Sequence, residues 1–240
     1  TTGPGHGGTI TVKADELHAT GGHMFAHTYG GGAAGDILLE GTNMSIRDGA
    51  QVGASAQKGS TGKGGNITIN ATGDVSIGGK NSAGTSSGLF SNAYGEGDGG
   101  NITVTAASLS LEEGGVIRAN TTGPGHGGTI TVKADELHST GGYMFANTYG
   151  GGAAGDILLE GTNISFRDGA QVGASAREGS TGKGGNITVN ATGDVAIGGK
   201  SSAGNPSGLF SNADGAGDGG SITVTASSLS LEEGGKFRRT

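Results

Sequence analysis

Residues Thr1 to Asn120 are written a second time as Thr121 to Thr240, with about 100 of the 120 positions identical. Most differences are mild: Ile164 stands for Met44, Val189 for Ile69 and Ala196 for Ser76. A tandem duplication this close constrains the fold more than any other feature. Whatever the first half builds the second half builds again, and repeats of this kind are stable only when stacked on their neighbours.

Within each half runs a shorter repeat, Gly-Gly-x-Ile-x-Val/Ile-x-Ala. It is seen at Gly7 to Ala14, Gly64 to Ala71 and Gly99 to Ala106, with a variant at Ala34 to Gly41. Units counted from Gly8, Gly35, Gly65 and Gly100 are 27, 30, 35 and 28 residues long. Each holds three short alternating runs. In the fourth, Ile102 and Val104 alternate with Thr, Leu109 and Leu111 with Ser, and Ile117 and Ala119 with Arg118 and Asn120. The second gives Ile37 and Leu39, Met44 and Ile46, Val52 and Ala54; the first gives Ile10 and Val12, Leu17 and Ala19, Met24 and Ala26. Period-two alternation puts the apolar set on one face of a strand. Gly-rich stretches such as Glu113-Gly114-Gly115 mark corners. Three strands turning the same way make one triangular coil, and stacked coils pair strand on strand about 4.8 Å apart. The expectation is one all-β domain over residues 1–240, a right-handed three-faced parallel β-helix of about eight coils. It comprises two repeats, 1–120 and 121–240, of about four coils each, in a rod about 40 Å long. Ile10, Ile37, Ile67 and Ile102 should share a column, and Ile67, Ile102, Ile187 and Ile222 should be buried in it.

Composition narrows the classes. The chain holds 56 Gly but only 3 Pro, and Gly does not recur every third residue, which excludes collagen. Ordered alternation argues against disorder. A net charge of −7, thinly spread, argues against nucleic acid, which needs a basic face. No apolar run is long enough to span a membrane, and with no Cys there is no disulfide.

The string Gly100 to Ala106, then Ser108-Leu109-Ser110-Leu111, then Gly114-Gly115-Val116-Ile117, then Thr122-Gly123-Pro124-Gly125-His126-Gly127-Gly128, resembles the repeat region of filamentous-haemagglutinin-like exoproteins of two-partner secretion systems. The resemblance covers essentially the whole chain. It implies a right-handed β-helix, export through an outer-membrane β-barrel partner, and a place in adhesion or surface filaments. The family's secretion domain is not in this chain, and the resemblance brings no catalytic residues with it.

Side chains with chemical potential are weighed against simpler readings. His18, His23 and His27 share one coil, but their counterparts are His138, Tyr143 and Asn147, so ordinary polar side chains facing water are preferred to a metal site. Gly97-Asp98-Gly99-Gly100 and Gly217-Asp218-Gly219-Gly220 resemble calcium-binding repeats but occur once per long repeat, which suits turns. The outward set Thr9, Thr11, Lys13; Asp36, Leu38, Glu40; Asn66, Thr68, Asn70; Asn101, Thr103, Thr105 favours hydrogen-bonded ladders and a Lys13–Glu40 ion pair over a lyase site. The same Asp36-Leu38-Glu40 interruption argues against ice binding. No catalytic residue, cofactor or metal ligand is assigned, and the chain is expected not to be an enzyme. Sequons at Asn43, Asn66, Asn70 and Asn101 are compatible with glycosylation or with plain strand composition.

Aligning the third runs, Phe25 matches Gly53, Phe90 and Arg118, so Phe25, Phe90, Phe145 and Phe210 should point outward on every second coil, with Tyr29, Tyr94 and Tyr149 just beyond. Such a row is a candidate contact surface for a glycan, another partner or another filament, unless Gly-rich loops cover it. At the ends, Gly220 to Thr240 and Thr1 to Gly7 together sum to one coil, which suits a fragment of a longer array or molecules stacked head to tail. Val116-Ile117-Arg118-Ala119-Asn120 becomes Lys236-Phe237-Arg238-Arg239-Thr240, putting Arg239 where Ala119 points inward. Without a stacked neighbour the last strand should fray. The functional expectation is a structural and adhesive module of a bacterial surface filament, secreted and partnered with copies of itself, neither inserting in a membrane nor binding nucleic acid. The alternatives are a carbohydrate-active β-helix enzyme and a self-assembling fibre without a receptor.

Overall fold

The structure, a computed structural model, describes residues 1–112 and 114–240. Among the described residues the regular elements are 22 strands, joined by parallel pairing into a solenoid of about eight turns. Each turn supplies three runs. The first-run strands (Ile10–Lys13, Ile37–Gly41, Ile67–Ala71 and onward) stack in sequence order, and so do the third-run strands from His23–Phe25 to Lys236–Arg238. The second run forms its own ladder but joins the first in one sheet, because Ile102–Leu111 and Ile130–Thr140 pass through the first corner without a break.

The register is the one alternation demands. Ile10, Ile37, Ile67, Ile102, Ile130, Ile157, Ile187 and Ile222 are successive partners. On the second face the column is Leu17, Met44, Val75, Leu109, Leu137, Ile164, Val195, Leu229. On the third it is Met24, Val52, Leu89, Ile117, Met144, Val172, Leu209, Phe237. The interior columns are buried in turns 2 to 7, whereas Ile10 and Ile222 are only partly buried. Full burial of Ile222 was expected; it lies in the eighth turn, which has a turn packed on one side only.

Glycine works here as a close-packing residue. Gly5, Gly32, Gly62, Gly97, Gly125, Gly152, Gly182 and Gly217 form one column at the corner after the third run, and Gly8, Gly35, Gly65, Gly100, Gly128, Gly155, Gly185 and Gly220 form another. From the second member on, a Cβ on each would drive into the carbonyl oxygen of the glycine one turn before. The corner therefore stacks backbone on backbone, the approach that favours Cα–H···O contacts. The 35-residue unit fits the stack by extruding a loop between Asp74–Gly78 and Gly88–Phe90, closed by an antiparallel Lys80–Ser86 bridge. Gln51 donates to the Ser86 carbonyl at 3.4 Å. Pro206 replaces Ser86 in the second half, where Gln171 donates to its carbonyl in the same way, so the missing N–H costs nothing there.

Candidate functional site: the third face

The third face carries the row that alignment predicts: Phe25, Gly53, Phe90, Arg118, Phe145, Gly173, Phe210 and Arg238 are successive partners. Phe25 is 45% exposed, while Phe90, Phe145 and Phe210 are half-buried. The glycines make room for the rings. A Cβ on Gly53 would lie 2.8 Å from Phe25 Cδ1, and one on Gly173 would lie 2.9 Å from Phe145 Cδ1. Phe25 is stacked between His23 and His27, with centroids 5.1 and 4.6 Å apart, and Phe145 stacks on Tyr143 at 5.6 Å. The Arg118 guanidinium lies 5.8 Å from the Phe90 centroid and that of Arg177 5.9 Å from Phe145, within cation–π range. Tyr29, Tyr94 and Tyr149 stand exposed four residues beyond Phe25, Phe90 and Phe145.

Between the Phe and Tyr rows lies a feature the sequence reading missed. His27, Ser55, Asn92, Asn120, Asn147, Ser175 and Asn212 form a side-chain ladder. Each from His27 to Ser175 accepts a hydrogen bond from the backbone N–H of its counterpart in the next turn, at 2.8–3.1 Å, and Asn212 ends the row with its Oδ1 unpartnered among the described residues. Half-buried His27 accepts through Nδ1, and burial holds its pKa below the usual imidazole range, which suits a neutral acceptor. The Asn and Ser members are buried, although the alternation assigns them to the outer face. The signal was a row of Asn and Ser two residues after the Phe row, legible only once all eight turns are aligned.

Over this ladder, between Phe25 and Phe90, runs an open groove of about 600 Å³. Ser55 and Asn92 lie in it, and Lys58, Arg118, Gln51 and Gln57 line it. Among the described residues neither Lys58 nor Arg118 has a carboxylate within 4 Å, and Arg118 Nε has no hydrogen-bond partner.

Elsewhere the polar rows join turn to turn. Asn66 N–H donates to Asp36 Oδ1 at 2.7 Å, Asn101 N–H to Asn66 Oδ1 at 3.1 Å, and Thr129 N–H to Asn101 Oδ1 at 2.9 Å. Lys13 pairs with Glu40 at 2.7 Å and Lys133 with Glu160 at 3.0 Å; the hydrogen bond from Lys13 holds the Glu40 carboxyl below its ordinary range. Asp98 sits in the glycine corner, paired with Lys63 at 2.8 Å and accepting from His126 N–H at 2.9 Å. His18 lies on the second face beside Glu16, apart from His23 and His27, and no group of metal-binding side chains occurs among the described residues. Asn43 is held by ladder bonds to Glu16 and Asp74.

At one end the Thr1 amino group donates to the His27 carbonyl at 2.8 Å, and Gly7 N–H to that of Ala33 at 2.9 Å. At the other, Gly220 is buried in its glycine column. The last strand, Lys236–Arg238, is paired with Gly208–Phe210, and Ala213 N–H donates to the Thr240 carbonyl at 3.0 Å. Phe237 is 38% exposed and Arg239 is exposed to solvent.

Fold and faces together define a β-solenoid repeat module with one aromatic-lined polar groove. No family model matches the chain, and no curated protein or solved structure matches it either.

Proposed function

We propose that the chain is a structural and adhesive segment of an extracellular bacterial filament, with no catalytic role. One observation carries this reading. Each 120-residue repeat makes four turns and returns every column to the same register, so that Ile37 and Ile157, Leu89 and Leu209, Phe25 and Phe145 occupy equivalent places. Such a unit extends a rod by simple addition, because each new turn finds the ladder and the apolar columns it needs. Reach without a change of cross-section is what a surface filament requires. The sequence resemblance to filamentous-haemagglutinin-like repeats supports the same place and an outer-membrane secretion partner, and the third face supplies the adhesive surface. The proposal is tested by immunogold electron microscopy of intact cells that make the protein. Label along projections from the cell surface is expected. Label confined to the cell interior contradicts it.

A further inference from the structure

We infer that the third-face groove between Phe25 and Phe90 binds an anionic saccharide chain lying along the solenoid axis. This rests on the adhesive part of the reading above and gives it a ligand.

The groove's direction and size come first. Phe25 and Phe90 are two turns apart, about 10 Å at the spacing of paired strands, and the space of about 600 Å³ between them is open at the surface. It suits a slender chain of linked rings laid along the rod. Its floor is the Ser55–Asn92 rung of the ladder, whose side chains are buried and already paired, and Gln51 and Gln57 supply amides at its sides. Hydroxyl-rich ligands are recognised by such amides, each able to donate and accept. Half-buried Phe90 offers apolar surface for the C–H face of a sugar ring.

Charge gives the sign. The chain has a net charge of −7, yet the groove is lined by Lys58 and Arg118 and by no acidic side chain. The Arg118 guanidinium is held against Phe90 with Nε buried, and it has no carboxylate within 4 Å among the described residues. Its two terminal nitrogens are thus left as a fork for a carboxylate or sulfate. An acidic peptide fits less well. Beneath the groove Gln51–Gly53 and Gly88–Phe90 are paired on both sides, and a peptide added to the one edge strand, His23–Phe25, would run across the groove and not along it.

The second repeat is a built-in control. Where the first has Lys58 and Tyr94, it has Glu178 and Asp214. The corresponding strip also has Arg177 for Gln57 and Arg238 for Arg118, so its two cations face two carboxylates, its net positive charge is lost, and it should bind the same ligand far more weakly.

The test is calorimetric titration of the full chain with a galacturonate oligosaccharide, a heparin-derived oligosaccharide, a neutral dextran oligosaccharide and poly-glutamate. One site per chain is expected for the carboxylated saccharide, the sulfated one or both, and which of them binds identifies the anionic group. Neither dextran nor poly-glutamate should bind. Arg118→Gln and Lys58→Glu should each weaken binding roughly tenfold, the loss of one charge-assisted contact, without moving the melting temperature. Arg177→Gln should leave binding unchanged. Glu178→Lys combined with Asp214→Tyr should raise the stoichiometry towards two. Failure of both acidic saccharides to bind, indifference to Arg118→Gln and Lys58→Glu, or equal binding of poly-glutamate would each overturn the inference. The filament reading, which rests on register, would stand through any of these.

Discussion

Gly151 and Gly152 are neighbours in the chain with opposite surroundings. A Cβ on Gly151 would meet nothing closer than 3.6 Å, whereas one on Gly152 would run into the Gly125 backbone. Gly152→Ala is therefore expected to cost about 1–3 kcal/mol, as overpacking does, and Gly151→Ala less than about 0.5 kcal/mol; parallel thermal melts check the pair. Inward columns obey the same logic of contact. Ile102→Asp would bury an unpaired charge and should cost several kcal/mol, while outward Thr103→Asp should melt close to the parent. Ile102 was assignable from sequence because strict alternation leaves only one face for it. The buried ladder from Ser55 to Asn212 was not, because Asn and Ser at outward positions read as exposed. What hides them is their place along each strand, as Asn92 lies between Phe90 and Tyr94 and donates Nδ2–H to the Tyr94 hydroxyl at 3.0 Å. That shielding depends on neighbouring turns and not on local pattern.

Between elements, the clearest cross-link joins turns that are not adjacent. Arg47, closing the strand Asn43–Arg47 in the second turn, reaches Glu112 in the fourth with bonds of 2.7 and 3.0 Å, and touches Ser76 of the third on the way. Arg167 and Glu232 repeat the pair. No sequence pattern announces a bond across 65 residues; it appears only when the turn lengths place both corners on one line. The hydrogen bond from Arg47 holds the Glu112 carboxyl below its ordinary range. A depressed carboxylate pKa gives stability that is present above the unfolded-state value and lost as pH falls through the folded-state value. The loss is thus expected below about pH 4, and since both side chains are partly exposed it should amount to about 1 kcal/mol or less. Glu112→Gln should lower the melting temperature slightly at pH 7 and flatten its decline between about pH 5 and pH 3. A parallel decline in parent and variant would show that the pair contributes nothing. The extruded loop closed by Lys80 and Ser86 was legible only as a long unit of 35 residues, since its hairpin form depends on a two-residue bridge.

For the whole molecule, the repeat was the legible part: turn count, column membership and the Phe row all follow from aligning the units. Function lay deeper, because a solenoid surface is set by outward residues that the fold leaves free to vary. The account expects no release of reducing or unsaturated ends from polysaccharide panels incubated with the chain. Activity lost on replacing Asp36 or Glu40 would contradict it. Its central claim is that the 120-residue unit extends a rod in register, and the most direct measurement is the axial length of purified arrays of two, four and six units by electron microscopy. The account predicts growth of about 19 Å per unit, four strand spacings, at constant width. Compact particles that widen as units are added, or lengths that do not rise in proportion, would contradict it.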